Sequence, residues 1–68
     1  MISYAPLWET MKRKGTSTYT LRRKWNFSAG TLDNLKHNRH VSTHTLDTLC
    51  NLIDCDIEEI VCQIRDQN

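Results

Sequence analysis

The sequence predicts an all-α fold, a compact unit of five short helices. Apolar residues recur at helical spacing almost throughout the chain. Only one proline and two glycines interrupt them in 68 residues, so strands have little support. Small oxygen-bearing residues stand ahead of the later helical runs, where a side-chain oxygen can accept from the unpaired amides of a helix start.

The first helix starts near Pro6, a residue suited to an opening turn, and places Leu7, Trp8 and Met11 on one side. It ends around Lys14 and Gly15. The glycine can take the left-handed backbone that closes a helix, and Lys12, Arg13 and Lys14 lie near the negative end of the dipole. Ser17 or Thr18 caps a second helix with Leu21 and Trp25 inward, and Asn26 stops it. Ser28 caps a third, Ala29 to His37, with Leu32 and Leu35 inward and Asn38 as its left-handed terminator. A fourth follows the Ser42 or Thr43 cap. Its Leu46, Leu49, Leu52 and Ile53 form the strongest amphipathic pattern in the chain, which makes it the core helix. Asp56 caps a fifth, with Glu58 and Glu59 at the positive dipole end and a stripe of Ile57, Ile60, Val61 and Ile64. The last four residues are expected to fray.

This length corresponds to one domain spanning residues 1–68, with its core in about 6–62. A core this short supplies only about 3–5 kcal/mol, and capping is the supplementary support best represented in the sequence. Cys50, Cys55 and Cys62 are an odd number with no C-x-x-C pair, which argues against a disulfide framework or a cysteine zinc site. They read as reduced thiols, Cys50 and Cys62 packed at helix margins and Cys55 more exposed. His37, His40 and His44 have spacings that invite a metal, but the helix breaks between them and no acidic or thiol ligand completes a set. No metal or cofactor is expected. No stretch approaches the roughly 18 apolar residues of a membrane span, and Met1 to Lys14 lacks the apolar run of a signal peptide. The chain therefore reads as cytoplasmic, with no membrane partner. Catalysis is not expected either: there is no glycine-rich phosphate loop, no Ser-His-acid or Cys-His pattern, and no core large enough to shelter a reaction.

The most informative spacing lies in residues 18–37, where Leu21 and Trp25, Phe27 in a short Asn26-Phe27-Ser28 turn, and Leu32 and Leu35 bury a shared seam. This is the pattern of a helix-turn-helix formed by helices two and three, which holds the second of the pair proud of the surface. A generic helical hairpin would show similar spacing. Charge separates along the chain. Residues 12–40 carry eight cations against Asp33 alone, a net +7, whereas residues 41–68 carry six carboxylates against Arg65, a net −5; Glu9 completes the total of +1. One face can attract phosphates while another stays solvated, although basic residues also occur as plain solvated helix faces.

With the flanking helices included, the run TYTLRRKWNFSAGTLDNLKHN followed by VSTHTLDTLCNLIDCDIEEIV resembles the lambda-repressor-like, Xre/Cro-type regulators over roughly residues 6–62. The resemblance implies a five-helix DNA-binding domain that binds double-stranded DNA in a sequence-specific way and regulates transcription, most often by repression, with residues 29–37 reading the major groove. It makes Ser28 the cap of the recognition helix, with Ala29, Gly30, Asp33 and Asn34 facing bases and Thr31 and Lys36 approaching the backbone. Chemistry permits those roles: Asn34 can bond adenine bidentately, Asp33 can accept from the amino group of cytosine, Ala29 can touch a thymine methyl, and Gly30 allows close approach. Asp33 reads equally well as a solvent-facing partner of Lys36. Phosphate contacts fall to Thr18 and Tyr19 at the start of the second helix, Arg22 and Arg23 on or near its exposed side, and Asn38, Arg39 and His40 after the recognition helix, Arg39 foremost.

Two departures stand out. Arg22 occupies a position where such motifs carry a small residue at the helix crossing, so its stem must snorkel outward and the docking angle is open. Asn26 replaces the usual turn glycine, a mild change because Asn tolerates left-handed backbone. A homodimer would double the contacts, with the region from Ile60 to Ile64 as its candidate surface. Tyr4, Trp8, Tyr19 and Trp25 can also be read as a stacking set for single strands, but Trp8 and Trp25 at helical spacing belong to a core. The alternative function is a helical protein-interaction module that has lost DNA binding and acts as the partner of another regulator.

Overall fold

Helix α1 (Ala5–Arg13) opens on Pro6 in its first turn, and Ser3 Oγ accepts the Ala5 amide at 3.2 Å. The computed structural model describes residues 1–65. Serines open the next three helices, α2 (Thr18–Lys24), α3 (Ala29–Lys36) and α4 (Thr43–Ile53). Ser17, Ser28 and Ser42 hold extended backbone and accept at Oγ from the amides of Thr20, Thr31 and Thr45 at 3.3, 3.0 and 3.1 Å. The capping residue is thus Ser17 rather than Thr18, and Ser42 rather than Thr43.

Each helix stops where the chain enters left-handed backbone, at Gly15 (φ 71°), Asn26 (61°), Asn38 (55°) and Asp54 (59°). After α1 the Thr16 amide reaches the Met11 carbonyl at 2.8 Å, and after α3 the Arg39 amide reaches that of Asn34 at 2.8 Å. Those bonds satisfy carbonyls that the helix ends would otherwise leave unpaired.

The fifth helix is the main correction. Asp56 does begin a turn, with the Glu59 carboxylate accepting the Asp56 amide at 2.8 Å, but only Ile57–Glu59 coil, as a single 3₁₀ turn. The chain then extends. Strand β1 (Ile2–Ser3) at the start pairs antiparallel with β2 (Cys62–Gln63), Ile2 opposite Gln63 and Ser3 opposite Cys62, so among the described residues four α-helices and a two-stranded sheet replace five helices. The physical reason is composition: Ile57, Ile60, Val61 and Ile64 repeat at helical spacing, yet all are β-branched and fit a pleated backbone better than a helix. Residues 66–68, three of the four expected to fray, lie outside the described residues.

The core is Tyr4, Leu7, Met11, Leu21, Leu32, Leu35, Leu49, Ile53 and Ile60, with Trp8, Trp25, Phe27, Val41, Leu46, Cys50, Cys55 and Val61 packed against it. Ile60 is completely buried, whereas Ile57 and Ile64 are each 46% exposed. Tyr4 belongs to the core and not to a stacking set. The thiols also exchange places: Cys55 packs against the core, and Cys62, on β2, is exposed. Burial pushes the Cys50 and Cys55 thiols above their ordinary range. No helix among the described residues is long and apolar enough to cross a membrane.

Helix α1 is tied to the acidic C-terminal segment by three side chains. Buried Thr10 donates to the Glu59 carbonyl, Arg13 pairs with the Glu59 carboxylate at 3.0 Å, and Lys14 donates to the Asp54 carbonyl. Two of the eight cations in the basic segment are therefore spent on holding the fold.

Candidate nucleic-acid interface

Helices α2 and α3 meet through Leu21, Leu32 and Leu35, all buried, with Trp25 and Phe27 packed on the same seam. Burying that side leaves the opposite side of α3 facing out. A shallow groove runs between the two helices, lined by Thr18, Tyr19, Arg22, Ala29, Leu32, Asp33 and Lys36. Six of these seven are residues assigned contacts from the sequence; Leu32 is the buried floor. Arg22 does extend outward and is exposed, so the absent small residue at the helix crossing is replaced by a cation on the groove wall.

Gly30 is exposed beside Ala29 at the start of α3. Thr31 faces another way, into a cleft with Trp25, Asn26, Phe27, Ser28, His44, Thr45 and Thr48, where its Oγ accepts from Ser28 Oγ at 2.8 Å. This second cleft flanks the α3 N-terminus from the side of α4. It brings His44 next to the motif, a residue whose spacing with His37 and His40 invites a metal but which reads from the sequence as a surface or phosphate-facing side chain. The signal was the Ser42 cap, because a capped helix start aims its first turn at whatever lies before it.

The residues after α3 split between structure and surface. Asn38 accepts the Tyr4 amide at Oδ1 (2.9 Å), and the Arg39 carbonyl accepts from the Tyr4 hydroxyl (2.9 Å), so this corner is fastened to the chain start. The Arg39 guanidinium remains 57% exposed and donates from Nη1 to Asp33 Oδ2 at 2.8 Å; His37 Nδ1 lies 3.2 Å from Asp33 Oδ1. The Asp33 carboxylate is therefore paired with Arg39, while His37 Nδ1 hydrogen-bonds the Asp33 backbone carbonyl at 2.9 Å. Lys36 faces the α2–α3 groove instead. His40 shares a cleft with Asn38 and Arg39 that is otherwise lined by Ile2, Tyr4, Val41, Leu46 and Val61. Asn34 is half-buried.

Among the exposed cations, Arg22 and Lys36 line the groove, while Arg23 lies over the Tyr19 ring and Lys24 over the Trp25 ring, each 5.6 Å from the ring centre. Positive charge thus gathers on the α2 side of α3, and the acidic C-terminal segment is tied to α1 instead.

A model of the Cro/C1-type helix-turn-helix (HTH) DNA-binding domain matches residues 6–65. No curated protein matches the chain. Among solved structures, the crystal structure of the transcriptional regulator VanUg is similar, with a TM-score of 0.86 and 26% sequence identity over 96% of this chain and 87% of that one. The serine-capped pair α2 and α3, its buried leucine seam and the family match over nearly all of the chain agree: this protein belongs to the Cro/C1-type helix-turn-helix DNA-binding domains.

Proposed function

We propose that the protein regulates transcription, as a repressor, by binding a specific double-stranded DNA sequence with the N-terminal half of α3 in the major groove. The observation that carries this reading is the groove between α2 and α3, where small Ala29 and hydrogen-bonding Asp33 lie between the cations Arg22 and Lys36. A base-reading surface needs short side chains flanked by phosphate partners, and this groove supplies both. Ala29, Gly30, Asp33 and Asn34 are the base-contacting set; Thr18, Tyr19, Arg22, Arg23, Thr31, Lys36, Asn38, Arg39 and His40 supply backbone contacts. No catalytic step belongs to the proposal. A dimer would read two half-sites one helical turn apart.

Selection from a random duplex library, followed by gel-shift titration over several salt concentrations, tests the proposal. It requires a recovered consensus. On the selected duplex, Lys36→Ala and Arg39→Ala should each reduce the slope of log affinity against log salt by about 0.9, one phosphate contact apiece. A flat library with no binding at low salt would replace this reading with the protein-interaction module.

A further inference from the structure

The pairing of Asp33 with Arg39 is difficult to reconcile with two independent contacts. A carboxylate on the groove side of a helix that approaches a polyanion is repelled unless something neutralises it. Here Arg39 does so at Oδ2, at 2.8 Å. The arginine that neutralises Asp33 is also the foremost phosphate candidate, and that hydrogen bond to Asp33 uses one of its guanidinium nitrogens.

We propose that Asp33 is a specificity-determining residue that acts by holding Arg39 off the phosphate backbone unless a base amino group takes the arginine's place. The inference rests on the major-groove reading above. The backbone of Arg39 is fixed: its amide donates to the Asn34 carbonyl at 2.8 Å and its carbonyl accepts the Tyr4 hydroxyl at 2.9 Å. Only the side chain is left to choose between Asp33 and a phosphate. In water the choice is nearly free, since an exposed ion pair is weak. Once α3 displaces water from the groove, an unpaired carboxylate becomes costly.

A cytosine opposite Asp33 presents its N4 amino group and satisfies the carboxylate, and Arg39 swings to the backbone. A guanine or thymine presents a carbonyl oxygen there, so Arg39 must stay on Asp33 and the phosphate contact is lost. Base identity at one position thereby controls a contact made elsewhere.

Gel-shift titrations over salt with the selected duplex and with the same duplex carrying guanine or thymine opposite Asp33 test this. On the substituted duplex the wild-type slope lacks Arg39, so Arg39→Ala should leave that slope unchanged while lowering it by about 0.9 on the selected duplex. Asp33→Ala frees the arginine: binding to the substituted duplex should tighten severalfold with a slope steeper by about 0.9, and preference at that base position should flatten. Asp33→Ala combined with Arg39→Ala should return the slope on the substituted duplex to the wild-type value. A circular-dichroism melt establishes that each variant is folded. If Asp33→Ala leaves affinity and slope on the substituted duplex unchanged while wild type still selects a consensus, the pair is an ordinary surface ion pair and the proposal is overturned. Failure of wild type to select any consensus would instead remove the DNA-binding reading beneath it.

Discussion

Gly30→Ala should make the free protein more stable and the DNA complex weaker. Gly30 lies in the first turn of α3 without a positive φ, and a Cβ built there meets nothing closer than Ser28 Oγ at 4.0 Å. Nothing inside the chain requires a glycine. Alanine restricts the unfolded chain and favours the helix, together about 0.5–1 kcal/mol. For a domain of this size each kcal/mol moves the melting temperature by roughly 4–8 °C, so the rise should be about 2–8 °C. In the proposed complex the same methyl would project toward the floor of the groove, and affinity for the selected duplex should fall severalfold. Gly15→Ala provides the opposite control: it too has open space, but φ is +71°, and a left-handed alanine costs about 1 kcal/mol or more. A circular-dichroism melt and a gel shift on each variant read both effects. A lowered melting temperature for Gly30→Ala would refute the helix argument, and undiminished affinity would show that DNA does not approach at this point.

Three other substitutions and one reagent probe the fold. Leu49→Ala removes a completely buried side chain and should cost about 2–5 kcal/mol, enough to unfold a chain this short, as a denaturant titration would show. Ser28→Ala should cost about 1 kcal/mol of stability through loss of the α3 cap, read as a shifted melt. Thr10→Val removes the donor to the Glu59 carbonyl and should cost about 1–3 kcal/mol, with faster amide exchange at Ile64, whose amide bonds the Met1 carbonyl at 2.7 Å. Iodoacetamide followed by mass spectrometry should label exposed Cys62 first and Cys50 and Cys55 last, because burial keeps their thiols protonated. A raised folded-state value means that stability from these two thiols is present below the ordinary thiol range and lost as pH climbs through their raised values. A melting temperature that stays flat under alkaline titration would contradict this assignment.

Residues 5–54 were legible because each helix carries its own punctuation. Ser17, Ser28 and Ser42 mark the starts and Gly15, Asn26 and Asn38 the stops, all signals that act within four residues. Asp54 was the stop that went unread, since aspartate enters left-handed backbone less readily than asparagine or glycine. The C-terminal segment failed for a different reason. Its apolar period matched a helix, but its β-branched residues fit a pleated backbone better, and the strand partners of Cys62 and Gln63 lie at residues 2 and 3, which no local pattern announces. At the site, spacing located the α2–α3 pair, while the roles of Ala29, Asp33 and Lys36 came from the family resemblance; these three line the groove with Arg22. The partner of Asp33 came from neither. Lys36, three residues on, was the natural helical neighbour, but the left-handed turn at Asn38 brings Arg39 back onto the helix face.

The sheet also sets an order of assembly. The serine caps of α2, α3 and α4 and the backbone bonds that close α1 and α3 join residues a few positions apart, and such local contacts form in well under a millisecond. The ladder between β1 and β2, by contrast, includes the bond from the Met1 ammonium to the Ile64 carbonyl, 63 positions away, and must close nearly the whole chain into a ring. It is two residues wide and has little cross-strand surface to offset that entropy. The ring should therefore close last and open first, well before α2 and α3 separate, so that the helix pair keeps its geometry whether or not β1 and β2 are joined.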